Sequence, residues 1–159
     1  MEVTNVEQKE LVTQTLMTQE RILDWESYIR QQVSEGTVRE PNIEIREYFA
    51  DNVYGRMMIV EPNSLITGHA HKKEHIFVLL KGTIAISKDD DTIEMITGPC
   101  IFVVPGGKKK IGFCVDEVWA ASFHPSKTKD VEKIKKRLLY SEKEYTALVK
   151  ERYKEIQNG

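Results

Sequence analysis

The chain has 159 residues, enough for one domain with a real hydrophobic core and too few for two full ones. Hydrophobic residues at 40% and charged residues at 30% are the balance of a folded globular chain, and a formal net charge of −2 gives no global reason to bind nucleic acid or an anionic membrane. The longest apolar runs, at 76–80 and 100–104, are too short to span a bilayer, and no secretory leader pattern is seen. A cytoplasmic protein is expected, with Cys100 and Cys114 as buried strand thiols or, alternatively, as a cross-strand pair.

Residues 5–34 lack proline and glycine and place Ile22, Trp25, Ile29 and Val33 at steps of three and four. That spacing predicts one long helix or two shorter ones with a narrow apolar stripe, lying on the sheet or on a second copy of the chain, with Gly36 and Pro41 ending the segment. From residue 42 the period changes to two. Strands are expected over 43–49, 54–60, 76–80, 83–87, 92–96, 100–104, 110–115 and 118–124. Turn signals separate them: Asp51 and Asn52, Pro62 and Asn63, Gly82, a charged tip at 88–91, Gly98 and Pro99, Pro105 to Gly107, and Asp116 with Glu117. Such strands without crossover helices indicate an antiparallel sandwich or barrel and exclude a parallel α/β sheet. Beyond Pro125, Asp130 can cap a helix running to Tyr140, and Ser141 with Glu144 forms a capping-box pattern for a second helix. The expected organisation is a helical arm at 1–41, a β-barrel at 42–126 and a helical arm at 127–159.

Three of the four histidines fall within seven residues. On an extended backbone His69 and His71 leave the same face, and His75 joins them if residues 72–74 turn. His124 ends the strand at 118–124, where Val118, Ala120 and Ser122 share its face and leave room beside it. Imidazole nitrogens suit transition metals, so His69, His71, His75 and His124 are the candidate ligands for a divalent ion such as Zn, Fe, Mn or Ni. The alternative is that His69 and His71 are exposed loop residues and His124 only closes its strand. Lys110, in the basic run after Gly106 and Gly107, is the lysine of that run placed to face inward. It is a candidate for binding a carboxylate or phosphate with help from the glycine-turn N–H groups, or else part of a solvated turn.

These phrases resemble the cupin superfamily, the RmlC-like jelly rolls. The first cupin motif has a glycine, five residues, His-x-His, three or four residues, a glutamate, six residues and a glycine. Here Asn63 stands at the first glycine, His69 and His71 form the His-x-His, His75 takes the glutamate position and Gly82 closes. In the second motif Gly98 lies one residue further than usual from Pro105, Gly107 fits, and Lys110 occupies the histidine position. The matched region, about residues 43–125, implies a mainly β antiparallel double-stranded β-helix, a cupin jelly roll, with N- and C-terminal α-helical arms. A narrower resemblance is to short cupin-like proteins of bacteriophages, through the His71 to Ile76 phrase, Pro105 and Gly106 followed by basic residues, and the Trp119 strand ending in His124 and Pro125. In that group a histidine at the position of His69 is not a regular feature, which shifts weight to His71, His75 and His124. It also implies a phage source and a host-cytoplasmic setting.

Three functional readings follow. In the first, a metal held by His71 and His75, completed by His69 or His124, serves a cupin enzyme of unassigned reaction class. Lys110 would orient a small anionic ligand, and Tyr54 or Glu74 would handle a proton. In the second, the barrel sequesters such a ligand without turnover. In the third, the barrel is a scaffold for assembly. A homodimer is expected, with neither membrane nor nucleic acid as partner.

Overall fold

The computed structural model describes residues 5–88 and 92–158. The N-terminal stretch forms one helix, α1 (Asn5–Ser34), after which Gly36 takes a φ of 72°. Nine strands follow among the described residues: β1 (Ile43–Ala50), β2 (Val53–Val60), β3 (Ser64–Thr67), β4 (His75–Lys81), β5 (Thr83–Ser87), β6 (Ile93–Thr97), β7 (Cys100–Val104), β8 (Ile111–Cys114) and β9 (Val118–Pro125). The helices α2 (Val131–Leu138) and α3 (Glu142–Asn158) end the chain. The expected charged tip lies partly outside the described residues, at 89–91; the Lys88 N–H donates to the Thr92 carbonyl at 2.8 Å across its base.

The strands form two antiparallel sheets, one ordered β1-β2-β9-β4-β7 and the other β3-β8-β5-β6. Apart from the added edge strand β1, this is the strand order of a jelly roll. The chain folds as a long double ribbon whose outermost strands pair first with last, so that successive strands alternate between the two sheets. The fold is therefore mainly β with flanking helices. The strand β3 escapes the sequence pattern because its alternation is inverted: Ser64 is buried while Leu65 is 39% exposed. The closing glycine of the histidine stretch is fixed by contact. Gly82 has φ of 92°, and a Cβ there would sit 2.4 Å from the Glu117 carbonyl oxygen, so only glycine fits.

Apolar residues fill one end of the barrel. Val60, Leu79, Ile84, Cys114, Val118 and Ala120 are buried there, with Met58, Ile66 and Phe77 packed against them. Cys100 and Cys114 are both free thiols, and burial pushes the Cys114 thiol up to about 11. The opposite end carries the histidines and is closed differently, by the helices and loops.

How α1 docks differs from the expected apolar stripe. Ile22 is buried, but Trp25, Ile29 and Val33 are only half-buried, and among the described side chains the rest of the buried face is Thr18, Gln19 and Glu26. Gln19 accepts from the Lys109 N–H at 2.8 Å and from the Tyr145 hydroxyl, and its amide donates back to the Lys109 carbonyl at 3.4 Å. The Lys109 ammonium lies 2.6 Å from Glu26, with both side chains about nine-tenths buried, and 5.6 Å over the Tyr145 ring. Of the three lysines after Gly107, Lys109 is thus one that turns inward, where only Lys110 was expected to. A small second core of Ala70, Tyr145 and Val149 joins this network to α3.

At the C-terminal arm, the Asp130 carboxylate accepts from the Lys133 N–H and caps α2. The Ser141 and Glu144 side chains cap α3 reciprocally at 3.2 and 2.7 Å. The first of these helices stops at Leu138 rather than reaching Tyr140, because Leu139 turns extended and forms a β-bridge with His71.

The buried Lys109–Glu26 pair yields a double-mutant expectation. Lys109→Met leaves a desolvated carboxylate without its cation and lowers stability by about 3 kcal/mol or more, whereas Lys109→Met with Glu26→Met recovers most of that loss. Urea denaturation followed by circular dichroism measures both.

Candidate metal centre

Three strands bring two of the histidines together. Tyr54 on β2 lies directly opposite His124 on β9, and Ile76 on β4 lies opposite Phe123, so the same register carries His75 to the side of His124. On β9, Val118, Ala120 and His124 are buried and Ser122 is half-buried while Phe123 faces out; Ala121, of the opposite parity, is buried as well. His71 comes from outside the strands. Its segment runs antiparallel to the α2–α3 linker, with the Lys72 N–H donating to the Leu138 carbonyl at 2.7 Å and the Tyr140 N–H to the Ala70 carbonyl at 3.0 Å. On its other side the Gly107 N–H donates to the His71 carbonyl at 2.7 Å. Gly106 packs so closely that a Cβ would lie 2.9 Å from the Lys73 backbone.

The imidazoles of His71, His75 and His124 stack into one cluster. Their ring centroids are 4.0 to 5.1 Å apart, and a nitrogen from each lies within 4.8 Å of the others. Burial lowers all three pKa values. His71 is brought down to about 3 by burial and then by the neighbouring His75 and His124, and His124 to about 4 by burial, then by His75 and Arg137. His75 is lowered by burial as well. The trio is therefore neutral near pH 7, with lone pairs available for a cation. Nδ1 of His75 is buried without a hydrogen-bond partner among the described residues, a group that costs about 1–3 kcal/mol when left unsatisfied. Three neutral imidazoles converging beside an orphaned nitrogen are a donor set that fits a transition-metal ion.

The other candidates take different places. His69 is exposed and lies outside the trio, because residues 68–70 form no strand that would carry it round with His71. Glu74 is exposed, pointing away just before β4 begins. Lys110 is half-buried, and its carbonyl accepts from the Gly68 N–H at 3.1 Å. The glycine turn expected to help bind an anion has its Gly107 N–H committed to His71. Tyr54 is 3% exposed, with its ring 6.3 Å from His124 and its hydroxyl donating to Glu47. Burial first, then that hydrogen bond, raises its pKa, so the phenol keeps its proton.

Sequence reasoning missed Arg56 and Glu47. On β2, Arg56 has the same parity as Tyr54, Met58 and Val60, and it lies opposite Ser122 on β9 and Glu47 on β1. The alternation that turns Tyr54 inward also turns Arg56 inward, and that signal was readable.

No protein-family model matches the chain, and no curated protein matches it significantly. Among solved structures it is similar to a cupin superfamily protein from Desulfitobacterium hafniense, 13% identical, over 55% of this chain and 81% of that one, with a TM-score of 0.45. An RmlC-like cupin from Shewanella frigidimarina is similar at 14% identity over 57% and 80% of the two chains, TM-score 0.45. A cupin domain from Bordetella pertussis is similar at 10% identity over 56% and 98%, also at 0.45. No helix among the described residues is long and apolar enough to cross a membrane.

The depressed histidine pKa values set a pH dependence. Between about 6.5 and their folded values the unfolded chain binds more protons than the folded one, so the histidine contribution is fully present above about 6.5 and is lost as pH falls. For His124 the loss runs down to about 4 and for His71 to about 3. Metal-free protein should lose up to ~1.4 kcal/mol per pH unit for each such histidine. Urea melts at pH 7.5, 6 and 5 should show a shallower slope for a His71→Gln, His124→Gln variant; equal slopes contradict the assignment.

Proposed function

We propose that this protein is a metal-binding jelly-roll protein that holds a small anionic ligand at the histidine end of its barrel. The observation that carries the reading is the trio itself, three neutral imidazoles from separate segments of the chain with nitrogens within 4.8 Å. His71, His75 and His124 would hold the ion, leaving coordination positions open. A divalent ion there would polarise a carbonyl or phosphoryl oxygen or acidify a bound water. Tyr54 keeps a proton at its hydroxyl oxygen beside His124 and passes that hydrogen bond to Glu47, which fixes the phenol in place. The apolar plug behind the site excludes water from its inner side. The two free thiols suit a reducing, cytoplasmic setting.

One surface favours an assembly role in addition. Tyr48, Gly55, Phe123, Ile76 and Val103 form a single row across all five strands of the larger sheet, on its outer face. Their side chains are 41 to 62% exposed where they have one, and Ile101 in the next row is 68% exposed. Five strands at ~4.8 Å spacing and eight residues of length give a face of roughly 600 Å². That is near the ~800 Å² per partner of a standard interface, and a second copy presenting the same uncharged row would match it in a two-fold pair.

Two experiments follow. Elemental mass spectrometry on untagged protein should find about one transition-metal ion per chain, retained in His69→Ala and lost in a His71→Ala, His75→Ala variant. Folded parent protein that is metal-free and resists reconstitution sinks the metal reading. Light scattering should find a dimer that Ile101→Glu with Val103→Glu converts to monomer without loss of circular dichroism; a monomeric parent removes the assembly role.

A further inference from the structure

We infer that Arg56 is the anchor for the anionic end of the ligand, gripping a carboxylate or phosphate group one layer deeper in the barrel than the histidines. This rests on the ligand-binding reading of the site, though not on the identity or presence of a metal.

The register fixes its position. The row Phe49, Tyr54, His124 and His75 crosses β1, β2, β9 and β4, and the next row inward is Glu47, Arg56, Ser122 and Phe77. Two residues along a strand span about 7 Å, so the guanidinium can reach the space in front of the imidazoles. One layer beyond it, Met58 lies opposite Ala120 and the apolar plug begins. Arg56 is therefore the inward-facing cation between the histidines and the dry end of the barrel. At Tyr54 the Arg56 charge opposes the rise caused by burial and by Glu47.

What the guanidinium lacks is a partner. Glu47 lies directly opposite it, but the Glu47 carboxylate takes the Tyr54 hydroxyl, and Arg56 makes no hydrogen bond or ion pair among the described residues. A half-buried arginine whose five N–H donors meet no partner among the described residues calls for an acceptor from outside. The neighbouring cations are committed elsewhere. Lys109 is paired with Glu26, Arg137 donates to the Pro125 carbonyl, and Lys110 is already engaged. The planar fork of arginine matches a carboxylate or phosphate in two parallel hydrogen bonds, which a lysine ammonium cannot reproduce. A ligand bound this way is short, with its reacting or chelating end at the histidines and its anionic end on Arg56.

The test uses inorganic phosphate and malonate as probes on full-length protein, in metal-free and Co²⁺-loaded forms. Binding is followed by ¹⁵N–¹H spectra of backbone and arginine Nε–H groups in the first form and by the visible cobalt spectrum in the second. Parent protein should bind at least one probe, with shifts at Arg56 Nε and in β2 and β9. Arg56→Met should weaken binding at least tenfold, and Arg56→Lys should restore it only in part. Cobalt loading should be unchanged in both variants, while Lys110→Met should bind like the parent. Preference for phosphate or for malonate separates the two anion classes. Arg56-dependent anion binding in a protein that takes up no cobalt keeps the anchor and discards the metal. Equal binding in parent and Arg56→Met, or no binding of either probe by the parent, overturns the anchor.

Discussion

His71 is the member of the histidine trio that no barrel strand positions. Its peptide is held from both sides, by the bridge to Leu139 in the α2–α3 linker and by the Gly107 N–H from the β7–β8 turn. Much else exists to keep those two flanks in place. The second flank is steadied by Lys109, two residues beyond Gly107, whose backbone and ammonium are bound by Gln19, Glu26 and Tyr145. The first is steadied by the capped ends of α2 and α3 and by the core around Ala70, Tyr145 and Val149. Both helical arms thereby act on one loop, and the cluster belongs to the whole chain rather than to the barrel alone.

The barrel interior is divided along its axis. At one end, apolar side chains of both sheets pack together, which supplies the burial that holds the sheets together. At the other, the same inward parity presents Tyr54, Arg56, Ser122, His124 and His75. Strand alternation is indifferent to chemistry: one register that packs Val60 and Val118 into the plug also delivers polar groups to the histidine end. The low histidine pKa values come from that placement, since imidazoles at the rim of a dry core meet little water and one another.

Much of this was legible in the sequence. Period-two runs and turn residues marked eight of the strands, and the inward parity of His124 followed from its small neighbours. Asn63, standing where a motif glycine is expected, adopts φ of 56°, a conformation asparagine tolerates. What was hidden is tertiary. The strand β3 reverses the usual hydrophobic-in pattern, so no local period reports it. The burial of Lys109 depends on Glu26, 83 residues away, and nothing nearby distinguishes it from Lys108 and Lys110. The end of α2 at Leu138 is decided by a bridge to His71 and not by any breaker residue. His69 read as a partner of His71 because spacing by two implies a shared face only on a strand, and residues 68–70 do not form one.

The position of β9 also sets the order in which the molecule can come into being. That strand lies between β2 and β4 in the larger sheet, so neither can complete its pairing until the last strand has left the ribosome. Non-local closure of this kind is slow and leaves earlier strands with unsatisfied edges during synthesis. The histidine cluster waits longer still, because the residues that bridge His71 come after β9. A nascent chain exposes His69, His71 and His75 well before His124 arrives, and the finished site is among the last features to assemble. The trio is in consequence completed only by residues that follow the whole barrel in the chain.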